Sequence, residues 1–209
     1  MKKILFAVAL LAAFAAQSFA EGLNFGINIS YQSEGMIGDA DQTKLFADDQ
    51  VSTGYALGFN ARIPFNRVIS LHTGLALQLN MYSYTYEIVS KEWDQMNVFL
   101  NLQLPLLARF NFTPGFFAEA GLDMQFNMIA ENYNEAGEDS EMIDEWNDIE
   151  NYNTFQMGPA FGLGYTMWFG LEFSGRFTWG LFNSFDKGLD DISPIRFQID
   201  ITYWFGYSR

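Results

Sequence analysis

The chain has no cysteine among its 209 residues, a single histidine, and 11 lysines and arginines against 25 acidic residues, for a formal net charge of −14. Without cysteine there is no disulfide scaffold, no thiolate zinc site and no cysteine nucleophile. So anionic a chain offers nothing electrostatic to a phosphate backbone, and no nucleic-acid partner is expected. Charged residues make up 17% of the chain, against a usual share of about 25%, and 49% of it is hydrophobic. That composition suits neither a disordered segment nor a simple acidic tail.

Long apolar runs are also missing, with one exception. Lys2 and Lys3 precede an unbroken apolar run over residues 4–16, and the small-residue site Ser18-Phe19-Ala20 follows. These are the three zones of a secretory signal peptide, and cleavage is expected after Ala20. The run is too short for a helix crossing roughly 30 Å of hydrocarbon. Beyond Ala20 nothing approaches the roughly 20 apolar residues that a spanning helix needs. Residues 1–20 therefore read as a leader and 21–209 as one domain, either exported and soluble or crossing a membrane as strands.

What is present is alternation. Leu23, Phe25, Ile27, Ile29 and Tyr31 interleave with Asn24, Gly26, Asn28, Ser30 and Gln32, a period of two that fits a strand and not a helix. The pattern returns over residues 55–65, 69–81, 96–106, 116–128, 155–167, 171–181 and 195–207. Eight strands of this length are long for a soluble sheet and suit a tilted membrane crossing. A soluble lipocalin-like barrel would show the same period with the apolar side inside, so the polar face has to decide.

Ten of the eleven glycines within these strands share parity with the polar residues, and Gly175 does not. On a solvated face they would weaken strands to no purpose, whereas small and large residues alternate inside a narrow barrel. The same face carries Arg62, Arg109, Arg176 and Arg196 with Glu119, Asp123, Glu172 and Asp200. Unpaired charge in such an interior is costly, so these eight residues are expected to form a structural salt-bridge network plugging the lumen. Arg62, Arg109, Glu119 and Glu172 should lie near the periplasmic end, with Asp123, Arg176 and Asp200 nearer the middle. A proton or ion pathway would use similar residues, but eight strands leave little lumen. The expected fold is an all-β, eight-stranded antiparallel up-and-down transmembrane barrel.

Connections alternate as strongly as residues. Tight turns at 65–67, 111–115 and 168–170 contrast with long polar loops at 33–50, 84–94, 130–151 and 183–194. Short periplasmic turns and long external loops are typical of outer-membrane barrels, which would leave both chain ends in the periplasm. Tyr31, Tyr55 and Tyr82 at one end, and Phe65, Phe110, Phe116, Trp168 and Tyr207 at the other, can form the two aromatic girdles. The long loops hold almost all the excess negative charge. Residues 130–151 contain nine carboxylates and no lysine or arginine. A solvated loop is the preferred reading. Within it Glu138, Asp139, Glu141, Asp144, Glu145 and Asp148 are candidate ligands for calcium or magnesium, alone or bridging lipopolysaccharide phosphates, since hard cations take oxygen ligands. No EF-hand spacing can be laid on the segment. Met142, Ile143, Trp146 and Ile149 recur at near-helical spacing and suggest a short amphipathic helix over the barrel mouth.

Four segments carry a family likeness: Gly22-Leu23-Asn24-Phe25-Gly26, Ser70-Leu71-His72-Thr73-Gly74-Leu75, Leu102-Gln103-Leu104-Pro105-Leu106-Leu107 and Phe117-Ala118-Glu119-Ala120-Gly121. In them the chain resembles the PorT-like outer-membrane beta-barrel proteins, small relatives of the OmpA-type barrels. The resemblance implies an outer-membrane barrel and transfers no catalytic residue and, for most members, no defined activity. It departs at the carboxyl end, where Ser208-Arg209 follow the alternating Tyr203, Phe205 and Tyr207. The eighth strand runs to the end of the chain, so no peptidoglycan-binding domain is expected after it.

His72 shares the inward face with Ser70, about 7 Å away along a strand rising roughly 3.4 Å per residue. Hydrolytic chemistry would need that base beside a nucleophile with an orienting group, and a packed lumen histidine is the preferred reading. The chain thus reads as a non-enzymatic, monomeric outer-membrane barrel with a structural or surface-interaction role. Its expected partners are outer-membrane lipid and lipopolysaccharide, and a protein at the external loops. The alternatives are a small lipid-acting outer-membrane enzyme, a narrow channel, and an exported soluble barrel that binds a hydrophobic ligand.

Overall fold

The computed structural model describes residues 23–37, 52–88, 91–136, 145–148, 154–181 and 193–205. Alternating, β-branched and aromatic-rich segments form nine strands, as such residues suit a pleated, half-buried surface. They are β1 (Asn24–Ile37), β2 (Ser52–Pro64), β3 (Ile69–Ile88), β4 (Lys91–Asn111), β5 (Phe116–Ala136), β6 (Glu145–Asp148), β7 (Phe155–Thr166), β8 (Leu171–Trp179) and β9 (Ser193–Phe205). Their order in the sheet is β4-β3-β2-β1-β9-β8-β7-β5-β6, and a β4–β5 pairing closes it. All pairings are antiparallel. The result is an eight-stranded barrel with β6 appended outside the closed ring.

The two faces separate by chemistry. Leu57 and Ile199 are 65% and 45% exposed, whereas Arg176 and Asp200 are 3% and 2% exposed. A lipocalin-like barrel would reverse these faces, so the apolar surface here is the outer one. Tyr31 and Tyr55 pair edge-on at the long-loop end, and Phe116 packs on Tyr165 at the turn end. Gly175 and Gly35 face outward, and the other described strand glycines face in. A Cβ at Gly162 would come 2.9 Å from Glu119 Cγ, and one at Gly58 would come 2.6 Å from Ala76 Cβ. Glycine on the inner face therefore makes room for charged side chains in a lumen too narrow for both.

The three short turns form as expected. Asn66 Oδ1 accepts from the backbone N–H groups of Val68 and Ile69 at 2.8 Å each. Gly115 and Gly170 take φ of 99° and 91°, a region that disfavours a side chain.

The other end departs from expectation. Residues 84–94, expected as a loop, continue β3 and β4 as a hairpin in register through Tyr86↔Trp93 to Ile88↔Lys91. Alternating Tyr and Thr here outweigh the polar composition. Likewise β1 extends to Ile37 and β5 to Ala136. In β5 the register shifts, with Leu100 opposite Ile129 and Asn101 opposite Asn127. Met128 is the extra residue of a bulge that reverses inside–outside parity beyond it. The expected helix over 142–149 does not form where the chain is described. Glu145–Asp148 is β6, paired antiparallel with residues 131–134 of β5. The reason is backbone accounting. β7 leaves β5 at Phe126, and a further strand satisfies donors and acceptors that β5 would otherwise leave open. Met142, Ile143 and Ile149 lie outside the described residues.

Candidate functional site

The eight charged residues singled out by parity all face inward and are buried. At the turn end they form a plug around Glu172, at the start of β8. Its carboxylate accepts from Arg109 Nη1 at 2.8 Å and Nη2 at 2.7 Å, from Arg62 Nη2 at 2.6 Å, from Thr166 Oγ1 at 2.6 Å and from Trp204 Nε1 at 3.0 Å. Arg109 and Arg176 both reach Glu119, each at 3.3 Å. Aromatic rings fill the gaps. Arg109 Cζ lies 3.5 Å from the Phe117 ring centroid and Arg62 Cζ lies 4.2 Å from that of Trp204, distances at which a ring face attracts a cation. Charge-assisted bonds and cation–π contacts thus offset the desolvation of every guanidinium here.

His72 belongs to this plug. Its Nδ1 lies 2.8 Å from Glu119 Oε2, and its ring packs edge-on to Trp204. Neither His72 Nε2 nor Ser70 Oγ has a hydrogen-bond partner, so the serine–histidine contact that would activate a nucleophile is absent. A base with an orienting carboxylate is present, and a nucleophile beside it is not.

Towards the long-loop end amides take over. Arg176 contacts Asp200 at 3.4 Å, and Asp200 accepts from Ser30 Oγ at 2.5 Å and Gln198 Nε2 at 2.6 Å. Gln103 donates to Asp123 at 2.7 Å and to Gln198 at 2.9 Å. Gln78 donates to Gln32 at 3.0 Å, and Gln32 to Asn80. Arg196 bonds Glu34 at 2.9 Å, Asp123 at 3.3 Å and the Gln125 side-chain oxygen. Glu34, counted from sequence with the external loop, is a lumen residue. Five carboxylates thus face four guanidiniums among the described lumen residues, where equal numbers were expected. Parity would have found Glu34, since it continues the even-numbered inward series past Gln32. Trp204 and Phe117 were also missed, because aromatic residues on the polar face break the pattern used to find it.

Of the candidate metal ligands, Glu138, Asp139, Glu141 and Asp144 lie outside the described residues. Glu145 and Asp148 fall on β6, four residues long and outside the ring. Among the described residues no three His, Asp or Glu side chains gather as a metal site.

A closed barrel with an apolar outer band and a charged, plugged interior defines the class: a membrane-spanning β-barrel. Residues 15–186 match the family model for the outer membrane protein beta-barrel domain, and the chain belongs to that family. It is an outer-membrane β-barrel protein. No curated protein matches it. Solved structures similar to it include Ail, the attachment invasion locus protein of Yersinia pestis, at 12% identity over 87% of this chain and 98% of that one, with a TM-score of 0.48. Ail in complex with the heparin analogue sucrose octasulfate is similar at 12% identity over 88% and 99%, with a TM-score of 0.49. Neisserial surface protein A is similar at 10% identity over 88% and 99%, with a TM-score of 0.45.

Proposed function

We propose that the protein is a non-enzymatic, monomeric outer-membrane barrel with a closed lumen, which acts at its long-loop end as a structural element or a surface that other molecules contact. The turn-end plug carries this reading. Glu172 is 0% exposed and ties β2, β4, β7, β8 and β9 together across the bore, which supports a lumen closed to solute. A lipid-acting enzyme would need a catalytic group facing the outer leaflet, and the histidine faces the lumen. The PorT-like likeness of the four segments agrees with a barrel without chemistry of its own.

Residues 1–20 are a leader in this reading, and the short turns and both mature ends are periplasmic. The loops then face outward. Beyond Met81, β3 pairs only with β4 among the described residues, so β3, β4, β5 and β6 project past the ring as a sheet with open edges. Such an edge accepts an extended segment of another protein by backbone pairing. The surrounding negative charge favours a cationic partner, or calcium or magnesium between the loop carboxylates and lipopolysaccharide phosphates.

Planar-bilayer recording of the refolded chain tests the closed lumen, with no unitary conductance steps expected; reproducible steps would make it a channel. Protease added to intact cells tests the orientation. Cutting within residues 130–151 is expected, and protection there with cutting at the short turns would invert the barrel.

A further inference from the structure

Beyond Met81 the sheet formed by β3, β4 and β5 has two faces of opposite composition, and the bulge at Met128 separates them. On β4 Phe99 is buried and Leu100 half-buried, so odd-numbered positions continue the inner face. On β5 Gln125 is 2% exposed and Ile129 is 45% exposed, so odd-numbered positions lie inside before the bulge and outside after it. Register then sets out the inner face in rows across the sheet. Tyr82 lies opposite Asn97, and Asn97 opposite Asn132; Tyr84 lies opposite Gln95, and Gln95 opposite Asn134; Tyr86 lies opposite Trp93, and Trp93 opposite Ala136. The outer face takes Glu87, Glu92 and Asp94, together with Glu131 and Glu135. Without the extra residue Glu131 and Glu135 would share the inner face, and Asn132 and Asn134 the outer one.

In a chain with a net charge of −14, the inner positions of these three strands beyond Met81 thus hold no carboxylate. Lys91 at the hairpin end is their one charge, and β6 adds Asn147 and Glu145 at the rim. A polyanion would be repelled by the acidic residues on the other face and at the rim. Protein contact surfaces enrich arginine beside aromatic residues, and the inner face has none. Tyrosine and tryptophan supply flat, rigid apolar area at low entropic cost, which suits the C–H face of a sugar ring. A primary amide both donates and accepts, as a sugar hydroxyl does. Rows that repeat an aromatic residue beside amides match a ligand that repeats a ring beside hydroxyls.

We propose that the inner face of the β3–β5 extension binds a neutral oligosaccharide. The site rests on the external placement of the long-loop end proposed above, and it adds the face and the class of ligand. The bulge at Met128 clears carboxylates from this face and leaves them on the other, where a cationic partner can still meet them.

The refolded mature chain, in a detergent without a sugar headgroup, is applied to an array of neutral, sialylated and sulfated oligosaccharides. Saturable binding confined to neutral members is expected. It should weaken about tenfold or more in Tyr84→Ala and in Asn134→Asp, and stay unchanged in Glu135→Gln on the other face. Unboiled gel mobility equal to that of wild type shows that each variant has folded. Absence of binding to every neutral member overturns the site, as does binding confined to sialylated or sulfated members, or binding that both inner-face variants leave intact. A mannose-bearing glycoprotein retained equally well after removal of its glycan would assign the face to protein and overturn the site too. Protease on intact cells separates this failure from that of the external placement: cutting within residues 130–151 without glycan binding overturns the site alone, and protection there overturns both.

Discussion

The two ends of the lumen enclose polar side chains in different ways. At the turn end, full charges are packed against aromatic rings, and Glu172 alone accepts from four residues. At the long-loop end, Gln32, Gln78, Gln103 and Gln198 share neutral hydrogen bonds beside the sparser ion pairs of Arg196 with Glu34 and Asp123. Low dielectric explains the division. Buried charges need several strong partners each, whereas buried amides tolerate partial satisfaction. The turn end therefore holds its polar side chains by concentrated ion pairing, and the other end mainly by shared amide bonds.

The largest expected effect breaks this contrast at its centre. Glu172→Gln removes the charge that Arg62 and Arg109 share, leaving two guanidiniums without their main counter-ion. Breaking one partner of a buried ion pair costs roughly 3–5 kcal/mol, and urea unfolding in lipid vesicles should show a loss of that order. A loss within error of wild type would mean that water already reaches the plug. Next in size is a change on the opposite face of the same wall. Leu57→Arg places on the lipid side the charge that the lumen accommodates at Arg62. Its expected cost is about 2–4 kcal/mol near the bilayer midplane, read by the same titration; an unchanged midpoint would place Leu57 outside the apolar band.

Much of this contrast was open to reading from residue order. The fold, the inward face and its eight charged residues follow from a period of two with glycine and arginine on one parity, since a closed barrel has only two faces to fill. Three features were hidden for physical reasons. The β3–β4 hairpin beyond Met81 was masked by polar composition, because strand propensity at a sheet edge depends on pairing that one segment does not reveal. The bulge at Met128 shifts register by one residue and breaks the parity on which the reading depends. Trp204 occupies a polar-parity position because its N–H reaches Glu172 and its ring face meets Arg62, a role that hydrophobicity alone assigns to the outside.

The finest test makes the same substitution at both ends. Thr166 Oγ1 donates to Glu172 at 2.6 Å and Thr178 Oγ1 to Asp123 at 3.3 Å; both threonines are buried, so valine preserves shape and removes only the hydroxyl. A hydrogen bond to a charged group contributes about 1.5–3 kcal/mol and a typical one about 0.5–1.5 kcal/mol. Thr166→Val should fall in the upper range, because its bond to the fully buried Glu172 carboxylate is short, at 2.6 Å. Thr178→Val should fall in the lower range or below it, because its bond is long, at 3.3 Å, and Asp123 keeps Gln103 and Arg196. Equal losses from urea titrations of the two variants would show that the two ends hold their hydroxyls equally tightly and that the division between them does not exist.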